Sequence, residues 1–210
     1  MGWISRLAEL VQDWSYLAQR DCLMSALPGI AQEIAQLPYR HLRFLIMARS
    51  LSEPLPLLRP KIAIEIRPLE QTDVELVQQI DRPSEARASA LRLALGHQGL
   101  IALCHSQPVG YAWGCAKVEP NLERVHLELE PGDALFVDAY TVPAFRGKGI
   151  QTALKLARFR LFHELGFQRV IAYIEENNAP SLASWRKVGA QVVQRIDFKR
   201  IGPWRRTRYC

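Results

Sequence analysis

Residues 136–154 read FVDAYTVPAFRGKGIQTAL. Strand-type composition over Leu135–Val142 meets Pro143, then a basic glycine-rich turn, then a helix start near Lys148 that runs to Leu165. Gly147 and Gly149 carry no Cβ, so the backbone can approach a ligand closely there. The first N–H groups of the following helix have no intrahelical acceptor and point outward. Together with the helix dipole they attract an anion, most naturally a phosphate. Arg146 and Lys148 add charge of the same sign. The stretch matches neither GxxxxGK[ST] nor GxGxxG, so neither a Walker loop nor a dinucleotide fingerprint is present. The competing reading is an ordinary βα turn that happens to be glycine-rich.

A second informative stretch follows the apolar strand expected at Gln168–Ile174: Glu175-Glu176-Asn177-Asn178-Ala179-Pro180-Ser181. Asn178 suits an N-cap, and Pro180 falls in the first turn, where its missing N–H costs nothing. That helix ends at Gly189, and Ala190–Asp197 with Trp204–Tyr209 predicts a terminal hairpin. Upstream, Lys61–Ile66 alternates as a first strand, helices run from Thr72 to about Leu95, and Gly99–Cys104 with Val109–Val118 form a hairpin. Arg124–Leu129 reads as one more short strand.

Residues 1–52 predict a helical N-terminal extension. Trp3, Leu7, Leu10, Val11, Trp14 and Leu17 share one face, and Ile30, Ile34, Leu37, Leu42, Leu45 and Ile46 suggest a second helix with Pro38 at a kink. These stripes either pack on the main domain or offer a weak membrane-surface or partner face, with Arg40, Arg43 and Arg49 as its basic component. Residues 53–60 contain Pro54, Pro56 and Pro60 and read as a stiff linker to a domain over 61–210.

The 210 residues suffice for one good core plus an appendage. Net charge is +6, and residues 195–210 supply most of it with six basic side chains against Asp197 alone. Cys22, Cys104, Cys115 and Cys210 show no CxxC pair, so no metal site is expected and free thiols in a reducing compartment, the cytoplasm, are. No run approaches the roughly 20 apolar residues of a membrane span, and the start lacks a signal-peptide pattern.

Arg146-Gly147-Lys148-Gly149-Ile150, followed about 30 residues later by Asn178-x-x-Ser181-x-x-x-Trp185, resembles two motifs of the GNAT superfamily, the acyl-CoA-dependent N-acyltransferases. The element order from Lys61 onward is similar to that family throughout. The resemblance implies an α/β (α+β, three-layer) fold: a mixed, mostly antiparallel sheet with helices on both faces. It implies an acyl-CoA co-substrate, acetyl-CoA in the simplest case, wedged between the Leu135–Val142 and Gln168–Ile174 strands. Its pyrophosphate would rest on Arg146, Gly147, Lys148, Gly149, Ile150, Gln151 and Thr152. Its pantetheine would meet main chain around Tyr140–Val142 and the side chains of Asn178 and Ser181. Gln151 stands where the family carries a small residue, and Trp185 stands where it carries the tyrosine that protonates the leaving thiolate.

The implied chemistry is direct attack of a small-molecule or sugar-type amine on the thioester, which needs a base for the acceptor's proton. Strand alternation places Phe136, Asp138, Tyr140 and Val142 on one face, which makes Asp138 the base candidate; with Trp185 in the tyrosine's place, either Tyr140 or Tyr173 substitutes as the acid or the CoA thiolate, a good leaving group, departs unaided. Asp138 is also readable as a structural hydrogen-bond acceptor, and Glu128, His126 and His105 are weaker candidates. Indole is no acid at accessible pH. A non-catalytic acyl-CoA-binding or protein-interaction module with a degenerate site is the alternative function. Nucleic-acid binding through Trp204, Tyr209 and the basic tail is disfavoured, because that tail lies in a predicted hairpin; a homodimer is left open.

Overall fold

The computed structural model describes residues 39–117, 129–201 and 204–209. The expected Trp3–Leu17 helix and almost all of the Arg124–Leu129 strand lie outside the described residues, as do His126 and Glu128. The described strands are β1 (Tyr39–Ser50), β2 (Glu65–Pro68), β3 (Gln98–Cys104), β4 (Gln107–Cys115), β5 (Asp133–Thr141), β6 (Arg169–Glu175), β7 (Gln191–Ile201) and β8 (Trp204–Tyr209). Helices are α1 (Val74–Ile80), α2 (Pro83–Ala94), α3 (Ile150–Glu164) and α4 (Ala179–Lys187).

All eight strands form one sheet in the order β2-β3-β4-β5-β6-β1-β7-β8. Every neighbouring pair is antiparallel except β5–β6. This is the mixed, mostly antiparallel sheet anticipated from the motifs. One apolar layer joins Val77 and Ile80 of α1 to Ile101, Tyr111, Trp113, Leu135 and Val137. On the other side, Phe159 and Phe162 of α3 and Leu182 and Trp185 of α4 pack on Met47, Phe136 and Ala172.

Of the second expected helix, Ile30, Ile34 and Leu37 lie outside the described residues, and Leu42, Leu45 and Ile46 lie in the strand β1. β1 pairs with β6 through Phe44↔Glu175 to Ser50↔Arg169 and with β7 on its other side. Leu45, Ile46, Met47 and Ala48 are all buried because both of its faces are covered. Such a strand shows a continuous apolar run, and over so short a length that run cannot be told from a helix by periodicity. Residues assigned to a helical extension therefore sit inside the sheet.

Residues 53–60 are packed. Leu55 and Leu58 lie against the α3/α4 layer, and Arg49 donates to the carbonyls of Glu53 and Pro54 at 3.2 and 2.8 Å. The first strand is shorter than the alternation suggests, beginning at Glu65 rather than Lys61. Among the described residues, no helix is long and apolar enough to cross a membrane.

Candidate functional site

β5 and β6 pair only from Asp133↔Arg169 to Phe136↔Ala172, after which the two strands diverge. Arg169 clamps the closed end through Asp133 at 2.7 Å. Beyond Phe136, β6 continues along β1 instead, so β5 has an open edge over Val137–Thr141. Val142 donates its N–H to the Val109 carbonyl at 3.1 Å. Because antiparallel partners alternate sides, Thr141 turns its main chain toward the open edge. Within the main chain expected to meet the pantetheine, Tyr140–Val142, β4 already takes the Val142 N–H, and Thr141 has the better position.

At the mouth of this fork stands the glycine-rich turn. Gly147 and Gly149 have φ of +73° and +85°, the left-handed conformation that glycine adopts without a Cβ penalty. Gly149 is the N-cap of α3 and supplies no side-chain cap. The first intrahelical bond runs from Ala153 N–H to Gly149 C=O. Among the described residues, the N–H groups from Gly147 to Thr152, including those of Lys148, Ile150 and Gln151, make no hydrogen bond. Pro60 lies behind the turn, where a Cβ on Gly149 would come within 3.2 Å of its Cα, and Lys61 N–H ties to Lys148 C=O at 2.8 Å. The free donors therefore face outward.

Gln151 does not crowd the turn. Its amide donates to Tyr140 C=O at 2.6 Å and Thr141 Oγ1 at 2.9 Å, pinning the first turn of α3 to the end of β5. Arg146 donates to Thr141 C=O at 3.2 Å with its guanidinium above the Tyr140 ring, and Lys148 lies over Phe145. On the opposite bank, the Asn178 side chain accepts from Ser181 N–H at 3.2 Å and caps α4 as its spacing suggests.

Asp138 departs from expectation. The β4–β5 register shifts between Ala112↔Ala139 and Trp113↔Val137, leaving Asp138 as a bulged residue with φ of +23°. That backbone costs a non-glycine residue about 1–2 kcal/mol. The bulge also reverses strand parity. Phe136 packs with Phe159 and Trp185 on the α3/α4 face, whereas Tyr140 and Val142 pack on the α1/α2 face. The expectation that Phe136, Asp138, Tyr140 and Val142 share one face is therefore corrected. Asp138 is ion-paired with Arg92 of α2.

Around that pair gathers a polar group that sequence reasoning missed. Glu85 binds Arg82 at 3.0 Å, and burial, then the Asp138 charge, push its carboxyl above the usual range. Tyr111 stacks on Tyr140 with centroids 6.0 Å apart and donates to Asp81 at 2.8 Å; burial pushes its phenol up. The sequence hides this group because α2 buries Ser89 and Arg92 beside Ala86 while Leu91, and Leu95 just past its end, are exposed.

On the other face, Lys155 and Arg158 follow Gln151 along one stripe of α3. Lys155 is 4% exposed, donates to Ser184 of α4 at 2.8 Å, and sits 4.4 Å from the centre of the Trp185 ring. Burial, then the Arg158 charge, drive its amine down to about 6. Arg158 is fully enclosed, donates to Trp113 C=O at 2.6 Å over the Phe136 ring, and burial lowers it to about 9.

Among the described residues no cluster of His, Cys, Asp or Glu could hold a metal ion. An outward row of free N–H groups at a fork between parallel strands is the arrangement expected for a pyrophosphate-bearing donor. Residues 65–190 match the acetyltransferase (GNAT) family. Over 128 residues the chain is 32% identical to mycothiol acetyltransferase of Saccharomonospora viridis, covering 59% of this chain and 37% of that protein. The fold is similar to that of a GCN5-related N-acetyltransferase from Sphaerobacter thermophilus, with a TM-score of 0.57, 18% identity and coverage of 86% and 56% of the two chains. A Drosophila protein of known structure aligns with a TM-score of 0.56, 14% identity and coverage of 85% and 58%. The chain thus spans just over a third of the curated relative's length and just over half of each of these two structures. With the match over residues 65–190 and the two motifs in their places on one fork, the chain belongs to the acetyltransferase (GNAT) family.

Proposed function

We propose that the chain is an acyl-CoA-dependent N-acyltransferase that moves an acyl group, acetyl in the first instance, to the amine of a small-molecule acceptor. The row of unpartnered N–H groups from Gly147 to Thr152 at the mouth of the β5/β6 fork carries this reading. Those donors hold the pyrophosphate, Arg146 and Lys148 add charge, and Asn178 and Ser181 border the pantetheine arm. Thr141 main chain on the open edge steers the arm toward the bulge at Asp138. The likeness to mycothiol acetyltransferase supports the acetyl group.

The acceptor enters on the α1/α2 face, where Glu85, Asp138 and Asp81 are gathered. Asp138 is committed to Arg92. Glu85 is the better base, because its raised affinity for a proton brings it closer to the amine it must deprotonate. Asp138 acts beside it, its charge helping to raise the Glu85 carboxyl, and Tyr140 floors the acceptor side. Alignment of amine and thioester supplies much of the remaining acceleration. Cys104 and Cys115 stand outside any disulfide, which is compatible with a cytoplasmic setting.

Calorimetry with acetyl-CoA is the test. Binding should be present in the wild-type chain and at least tenfold weaker in Gly149→Val, which forces a β-branched residue into φ of +85° against Pro60. Equal affinity in the two proteins removes the reading. Trp185 in place of the family tyrosine favours one competitor, a donor-binding module without turnover. Acetyl-CoA consumption across a panel of amines separates the two.

A further inference from the structure

The expected acid for the leaving sulfur is missing at Trp185, and neither tyrosine proposed as its substitute lies on that face. Tyr140 and Tyr173 both pack in the α1/α2 layer, whereas Trp185 belongs to the α3/α4 layer. The titratable side chain that touches Trp185 is Lys155.

Its position along the fork is the right one. α3 and α4 both begin at the mouth, since each follows the open end of its parallel strand. Lys155 lies about 8 Å down α3 from Ile150, and Asp138 lies about 10 Å down β5 from Thr141. The amine and the bulge are therefore at similar depth on opposite sides of the open edge. The Lys155–Ser184 bond bridges the two helices at that level. It forms an end wall one turn beyond Ser181.

The pair Lys155 and Arg158 also lacks a counter-anion. No ion pair involves either among the described residues. Arg158 Nε is buried with no hydrogen-bond partner. Arg49, the third buried cation of this layer, stands over Phe159. A buried amine lowered to about 6, a buried guanidinium and an unused donor, with no anion beside them among the described residues, describe a site that a ligand anion completes by holding the proton on Lys155.

We propose that Lys155, backed by Arg158, is the subsite for the donor's sulfur and the acid that protonates it as it leaves. The inference rests on the acyltransferase reading above. As the carbon–sulfur bond breaks, its electron pair stays on sulfur. The ammonium of Lys155 gives that sulfur a proton, forming the CoA thiol and leaving a neutral amine. The proton shed by the acceptor nitrogen departs to water through Glu85 on the other face, and Lys155 takes a fresh proton from water. The charged group that acts on Lys155 from its own helix is Arg158, and α4 presents Ser184 and Trp185 to it.

The decisive measurement titrates the thiol of bound CoA by its ultraviolet thiolate absorbance, in the wild-type chain and in Lys155→Met. In the wild type the thiol should ionise at lower pH than the roughly 8.5 of a free thiol, and the variant should return it toward that value. In parallel, Lys155→Met should lower kcat about a hundredfold while leaving CoA affinity within about twofold, and the fall of kcat as pH rises through the Lys155 ionisation should vanish. Adding Trp185→Tyr to that variant should restore part of kcat, because the phenol supplies a new acid. A bound thiol that ionises as in free solution overturns the sulfur subsite, as does equal loss of kcat and CoA affinity without rescue. If the wild type binds no CoA at all, the acyltransferase reading falls with it, which is a different outcome.

Discussion

At the residue scale, the site depends on one backbone irregularity. Asp138 occupies a bulge, and its φ of +23° flips the parity of β5 beyond it. Strict alternation cannot foresee this, since no glycine or proline marks the position. The glycine-rich turn was legible for the opposite reason: positive φ and free helix donors write themselves into residue type. Glu85 left no signal, because α2 buries Ser89 and Arg92 while Leu91, and Leu95 just past its end, are exposed. Substituting Glu85 by Gln should reduce kcat about a hundredfold with donor affinity unchanged, measured by steady-state kinetics and calorimetry. The rate should rise with pH through the Glu85 ionisation, whose midpoint stands above the usual carboxylate range because burial and Asp138 oppose its charge. In Asp138→Asn one opposing charge is gone, so that acid limb should move to lower pH; an unmoved limb would show that another group is the base.

At the scale of elements, β1 is the feature that sequence reasoning placed wrongly and the sheet most needs. It fills the gap between β6 and β7, with Met47 fully enclosed. Arg49, buried at its far end, donates to Val188 C=O at 2.6 Å and so joins β1 to the end of α4. A chain cut at residue 53, where the linker suggested a boundary, would leave the inner edges of β6 and β7 unpaired. Such a fragment should be insoluble or lack a cooperative unfolding transition, as circular dichroism and sedimentation would reveal. Met47→Ala should destabilise the full chain by about 2–5 kcal/mol, read from denaturant midpoints. The hairpins and α3 were legible because their turns and caps are local. A strand whose partners are far along the chain, and whose two faces are both covered, carries no such mark.

At the scale of the whole molecule, Lys155 couples stability to pH. Its folded amine titrates near 6 and an unfolded lysine well above that, so between those limits the unfolded chain binds the extra proton. Stability therefore rises with pH across that window and is lost as pH falls toward 6. Lys155→Met should flatten this slope and add on the order of 2 kcal/mol at neutral pH, a few degrees or more in melting temperature for a chain of this size. Parallel slopes for the two proteins would refute the assignment. A stabilised variant that has lost turnover would show that this buried charge is kept for chemistry at the expense of the fold.

β1 has a further consequence, in time rather than in space. Phe44 meets Glu175 about 130 residues later in the chain, so the strand at the heart of the sheet is made early and must wait for both neighbours. Contacts of such separation form slowly. The closing of β6, β1 and β7 should therefore belong to the rate-limiting step, and Met47→Ala should slow folding as well as speed unfolding. During that wait, the apolar run from Leu45 to Ala48 is the segment most open to capture by another chain.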